Sequence, residues 1–398
     1  MKWLSYACLT LMLVFGLTCC TPATPSAPPT PPTPITLEFW TLQLRDFTPL
    51  IRSWIDDYEA VHPQVRIHWV DVPFAEGEKR ALTAMLSPHV PDVINLNPAF
   101  ASTLAERRAL LELTPFLKKE VTIYAPALLS YCQFSGSLVA LPWYTTTVLS
   151  FENTALLKAP APSGVYERFP LLTSGGNLLK TLALSGDFPT TQAVFHQRLV
   201  SILEPVKRGI LQKRIPAENI TGAYATALEL FMAGKLVHLD AGASALKVIE
   251  NNAPSVYATL RLSPLDASAP ARRIDASPMV LVVPKQSQHP KEAVDFARFL
   301  TRTMHQLAFS KQAPVLPSTV EGLRVLSQQT PHSLSEEALV RGTNKVLYAH
   351  EGIVPRPEQA VLNDLSNAVA QSYLLGDESA FVAYESRLWQ KLNLSTRR

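Results

Sequence analysis

In this 398-residue chain, few residues combine a type and a spacing that could do chemistry. Asp71 and Asp240 each close a β-prone run, and two carboxylates flanking a bond are what glycoside hydrolysis uses. The other candidates are Trp40, Gln43, Asn97, Trp143, Tyr144 and Gly242: flat rings, short amides and a turn glycine. Rings can stack on the apolar face of a sugar, while amides and carboxylates pair with its hydroxyls. Other chemistries lack their parts. There is no His-Glu-x-x-His, no Gly-x-Ser-x-Gly and no P-loop lysine motif. The 9 histidines are scattered without an i, i+4 pair, so neither a metal nor any other cofactor is expected.

The elements that must position these side chains begin with Ile35–Thr41, whose Ile35, Leu37 and Phe39 share a face. Thr48-Pro49 reads as a helix start, with Leu50, Ile51, Trp54, Ile55 and Tyr58 as its apolar stripe. Val65, Ile67 and Trp69 alternate in a second strand; a helix near Glu78–Leu86 and a third strand, Asp92–Leu96, follow. Strand, helix, strand, helix, strand at this spacing predicts an α/β fold with a parallel sheet. Ligands of such sheets bind beyond the carboxyl ends of the strands, where Trp40, Gln43, Asp71, Asn95 and Asn97 fall. Asp71 and Asn97 have alternative readings as caps of the segments that follow them.

A second organising stretch is Gly136–Asn153, GSLVALPWYTTTVLSFEN. Pro142 stops an apolar run, Trp143 and Tyr144 follow, and three stiff threonines lead into a second β-prone run. An extended segment leaving one sheet for another would place both rings in the gap between two lobes; an ordinary buried strand with core aromatics is the competing reading. On the first reading Trp143 stacks on ligand.

The stretches LPWYTTTVLSFEN, LEFWTLQLRDFTPLIRSW, WVDVP, PDVINLN and VVPKQSQHPKEAVDFARFL together resemble extracellular solute-binding proteins of ABC importers, the maltose-binding-protein-like group of sugar-binding lipoproteins. The resemblance implies a two-lobed periplasmic-binding-protein-like fold, each lobe a mainly parallel sheet flanked by helices, with an interlobe cleft. Its implied boundaries are 36–147 plus 280–325 for one lobe and 148–279 plus 326–398 for the other. Its implied ligand contacts are Trp40, Gln43, Asp71, Asn97, Trp143, Tyr144, Asp240 and Gly242, with Arg356 within reach of the cleft. The turn Ala241–Ser244 lacks the aromatic many relatives carry, and the usual start of the second lobe is missing after Asn153. The resemblance implies a carbohydrate or polyol ligand, ABC permease subunits as partners and no catalysis. A surface-anchored glycoside hydrolase and a cell-envelope scaffold are the alternatives.

Residues 1–19 carry one charge, Lys2, ahead of an apolar run too short to span a bilayer comfortably, which is a signal-peptide layout. Leu17-Thr18-Cys19-Cys20 resembles a lipobox with Cys20 as acceptor. The uncharged, Pro-rich 20–35 then reads as a stiff tether from a lipid anchor on the extracytoplasmic side. A net charge of +3 without a basic run argues against nucleic acid. Of 4 cysteines only Cys132 lies beyond the leader, so the body, expected to be a monomer, is held by packing without an internal disulfide.

Overall fold

The computed structural model describes residues 34–398, apart from 88, 135, 158–163, 264–272, 356–357 and 397–398. By its contacts the chain divides into Met1–Pro34 and Ile35–Arg398. The leader, Cys20, most of the Pro-rich segment and Arg356 lie outside the described residues.

The body is a mixed α/β assembly around one nine-stranded sheet. Its first part alternates as the sequence predicts: β1 (Ile35–Leu42), α1 (Thr48–Val61), β2 (Val65–Val72), α2 (Phe74–Met85), β3 (Val93–Leu96) and α3 (Pro98–Glu106). Strand β1 runs parallel to β2 from Ile35↔Val65 to Leu42↔Val72, and parallel to β3 on its other side. Leu37 and Phe39 point into a core shared with Ile51, Trp54, Ile55 and Tyr58 of α1, the helical stripe read from spacing.

The chain then enters β4 (Ala140–Asn153), fourteen residues long. Its first portion pairs antiparallel with β8 (Ala276–Val282); its second portion pairs antiparallel with β6 (Leu236–Gly242) and β7 (Leu260–Leu262). Beyond β6 lies β5 (Tyr166–Arg168), parallel to it, so the order is β2-β1-β3-β8-β4-β6-β5. Parallel pairs occupy both ends and antiparallel pairs the middle, because β4 belongs to both halves.

Separate cores form on either side of that shared strand. The second half packs Leu149, Phe151, Leu239 and Ala241 against α6 (Tyr224–Met232) and α7 (Ala245–Asn252). A helical layer of α4 (Asn177–Leu184), α5 (Gln192–Leu211), α12 (Gln359–Leu375) and α13 (Glu378–Thr396) has its own core around Phe195, Leu199, Leu203 and Leu388. Among the described residues no helix is long and apolar enough to cross a membrane.

One smaller core sits where the halves join. It contains Tyr131, Ile274, Leu316, Leu323 and Val346, the last from α11 (Leu334–Tyr348). Here Arg273–Ile274 pairs with Glu351–Gly352, and the buried Tyr131 hydroxyl binds both strands. It accepts from the N–H groups of Ala276 (3.2 Å) and Ile353 (3.0 Å) and donates to the carbonyl of Ile274 (3.1 Å).

Candidate functional site

Register places the carboxyl edges of both halves at the same stretch of β4. In the first half, Leu96 at the end of β3 is level with Val280, and Val280 with Pro142, so β4 leaves the sheet on the side where β1, β2 and β3 end. In the second half, Gly242 at the end of β6 is level with Val148. From Tyr144 to Val148 is four residues, about 13 Å at 3.3 Å per residue. The strand ends that doubly wound sheets use for ligands therefore face one another across the Thr145–Thr147 run.

On the first-half rim, Asp71 organises the loop after β1. One carboxylate oxygen accepts from the Thr41 hydroxyl (2.6 Å) and Leu44 N–H (2.8 Å), the other from Arg45 N–H (3.1 Å). The indole N–H of Trp69 donates to the same Thr41 hydroxyl at 2.8 Å. This hold keeps exposed Gln43 at φ 54, a backbone region that costs a non-glycine residue about 1 kcal/mol or more and is concentrated at functional sites. Gln43 N–H donates to Val72 carbonyl at 2.9 Å.

Asn97 caps α3: its side-chain oxygen accepts from Phe100 N–H at 2.9 Å, and its amide donates to Glu78 at 3.0 Å. The capping alternative raised for Asn97 is thus realised. Trp40 is half-buried, with its indole N–H donated to Glu38 at 2.5 Å. Tyr144 is half-buried against Phe309, ring centroids 5.1 Å apart. Burial, with the Asp71 charge as a smaller contribution, pushes its phenol above the usual tyrosine range.

Trp143 requires a correction. Expected to stack on ligand, it is 0 % exposed and belongs to the first-half core, touching Phe39, Trp54 and Phe309. The cause lies in the pairing: Tyr144 faces Met279 and Pro142 faces Val280, leaving Trp143 as the extra residue of a bulge. Pro142 cannot donate to the ladder, and proline within a sheet is tolerated at such bulges. Ala140–Trp143 are all buried, as are the residues of β3 in the same sheet, and the extra residue turns the indole inward.

In the second half, Asp240 and Gly242 lie on β6, with Asp240 exposed and level with Ser150. A cavity of about 810 Å³ opens beside Asp240, between this sheet face and helices α4 and α5. Arg168 and His238, level with one another on β5 and β6, line it with Asp240. Pro205 and Val206 of α5 and Pro170 and Leu172 after β5 supply the apolar wall. Nearby, Lys345 of α11 donates to the Val148 carbonyl at 2.6 Å. Desolvation lowers its ammonium pKa, against the opposing pull of Asp240 and Asp275. Arg168, His238 and Lys345 were not singled out from the sequence. Arg168 sits in a three-residue strand whose partner is distant in the chain, which gives no local signal. Among the described residues no group of three or more His, Cys, Asp or Glu could hold a metal.

The fold is that of the two-lobed periplasmic binding proteins. The family model of bacterial extracellular solute-binding proteins matches residues 43–306, well over half of the chain. This chain belongs to that family. It is similar to a candidate oligosaccharide periplasmic-binding protein of Synechococcus sp. MITs9220, with 27% identity and a TM-score of 0.77 over 91% of this chain and 99% of the other. The sugar-binding protein MalE of Xanthomonas citri shares the fold at 17% identity and a TM-score of 0.73, over 91% and 100% of the two chains. An uncharacterized ABC transporter extracellular-binding protein of Pyrococcus horikoshii is 25% identical over 285 residues, which span 61% of this chain and 63% of that relative.

Proposed function

We propose that this protein captures a carbohydrate or similar polyol between its two halves and delivers it, unaltered, to the permease subunits of an ABC importer. The observation that carries this reading is the register at β4, which brings the carboxyl edges of two sheet halves to one short stretch. Gln43, Asp71, Asn97 and Tyr144 lie on one side of that stretch, Asp240 and Gly242 on the other. Trp40 lies inside β1, level with Val70 and Ile94 and with its indole turned back to Glu38, rather than beyond the strand end as expected from the sequence. A ligand touching both groups favours the closed arrangement by its differential affinity for it. Hinge closure of periplasmic binding proteins is an example already established for such folds. The Synechococcus relative, described as a candidate oligosaccharide-binding protein, supports the ligand class.

Cys20 is the lipidated residue in this reading, residues 1–19 its signal peptide and 20–35 the tether that lets a monomeric body clear the headgroups. Replacing Cys20 by Ser should move the protein from the membrane to the soluble fraction and leave ligand binding intact. A Cys20→Ser protein that resists a high-salt wash places the anchor elsewhere.

The ligand reading is tested by thermal shift across mono-, di- and trisaccharides, with chromatography of each mixture after incubation. A bound sugar at 100 times its dissociation constant adds about 2.7 kcal/mol of stability. Saturable binding without new products supports the proposal. Products would make it a hydrolase, and silence across the panel a scaffold.

A further inference from the structure

The second-half cavity is built for charge. Its lining includes Glu167, Arg168, Arg208, Arg214, His238 and Asp240, and no Trp, Tyr or Phe contributes a ring on which a neutral sugar would stack. Two of the three guanidiniums are already committed. Arg214 makes a two-pronged bond to Glu167, with both N···O distances at 2.6 Å, and Arg208 is 3.2 Å from Glu204 on the same helix. Arg168 has no carboxylate partner among the described residues. It is exposed, level with His238, on the face that carries Asp240. The Nδ1 atom of His238 is buried and lacks a hydrogen-bond partner, 3.8 Å from Glu152. Asp240 feels the Lys345 ammonium, which is itself bonded to the Val148 carbonyl. Arg168 is thus the lining guanidinium without a carboxylate in salt-bridge reach among the described residues, in a space of about 810 Å³, within the 300–1,000 Å³ range of small-molecule pockets.

We infer that this cavity receives the oxyanion of an acidic sugar, with Arg168 as the specificity-determining contact and His238 and Asp240 pairing with neighbouring hydroxyls. The planar guanidinium matches a carboxylate or a phosphate with two parallel charge-assisted hydrogen bonds, whereas a neutral sugar offers it only uncharged hydroxyl acceptors. This rests on the sugar-binding reading above and narrows its ligand class. Asp240, level with Ser150 three residues past Thr147, is the lining residue of β6 nearest the crossing.

The test is isothermal titration of the full chain with digalacturonate, the matching neutral digalactose, and glucose 6-phosphate, repeated with Arg168→Gln. An acidic sugar should bind about tenfold or more tighter than digalactose, the usual worth of a charge-assisted hydrogen bond. Arg168→Gln should abolish that preference and leave Tm unchanged. Whether digalacturonate or glucose 6-phosphate carries the preference decides between carboxylate and phosphate. Two results overturn the inference alone: digalactose binding as tightly as the acids, or a preference that survives Arg168→Gln. Failure of all three probes, with neutral sugars also silent in the wider panel, overturns it together with the sugar-binding reading.

Discussion

The Tyr131 hydroxyl uses its full hydrogen-bonding capacity on backbone groups of the junction, two N–H groups and one carbonyl. Tyr131→Phe keeps the ring and removes all three bonds. Ile353 N–H retains a 3.0 Å bond to the Ile274 carbonyl, so the loss falls mainly on Ala276 N–H. At about 1–3 kcal/mol for an unsatisfied buried group, the variant should lose about 2 kcal/mol in urea denaturation. A loss below about 0.5 kcal/mol would show that the junction holds without the phenol. Trp143 leads to a different expectation. Its ring is fully enclosed, so Trp143→Ala should cost about 3–5 kcal/mol of stability. Ligand affinity in the fraction still folded should be nearly unchanged, and a large affinity loss at normal stability would return the indole to the binding surface. Cys132 is equally enclosed, and burial raises its thiol well above the ordinary range. It should therefore resist iodoacetamide in the native state and react once the chain is unfolded.

At the scale of elements, the helices and strands of the first half were legible because each carries its own periodicity: Leu37 and Phe39 alternate, and Ile51, Trp54, Ile55 and Tyr58 recur at helical spacing. The shared strand was legible too, since the three stiff threonines carry the extended pattern from the apolar run before Pro142 into the second β-prone run. The direction of Trp143 was not. It depends on a bulge set by pairing with Met279 and Val280, more than a hundred residues away. Nor was the Tyr131 junction, whose partners come from two distant segments. Gly352 exposes the same junction from the other side. A Cβ there would lie 1.9 Å from the Tyr131 ring, so the short strand can approach the phenol only as glycine. Gly352→Ala should force the strand or the ring aside and cost about 1–3 kcal/mol. A melting temperature equal to the wild type's would mean the strand yields freely.

For the whole molecule, four enclosed or partly enclosed phenols make stability depend on pH in the alkaline range. Tyr58, Tyr124, Tyr131 and Tyr144 are all raised from 10.0, mainly by burial, with Tyr131 pushed up to about 12. Between the unfolded and folded values the unfolded chain has released protons that the folded one retains. Stability is then complete below about pH 10 and falls as pH rises toward 12. Urea midpoints measured from pH 8 to 11.5 should decline past pH 10, and a flat profile would contradict the burial of these rings. The unbroken β4 strand also constrains movement. Its backbone is laddered to β8 on one side of the crossing and to β6 on the other, so the halves are stitched together by amide hydrogen bonds rather than joined by slack chain. Any opening must twist that ladder. Deuterium labelling would make the stitch visible: amides between Thr145 and Leu149 should exchange faster when the site is empty than when it is saturated, while those of β1 and β2 keep one rate in both states.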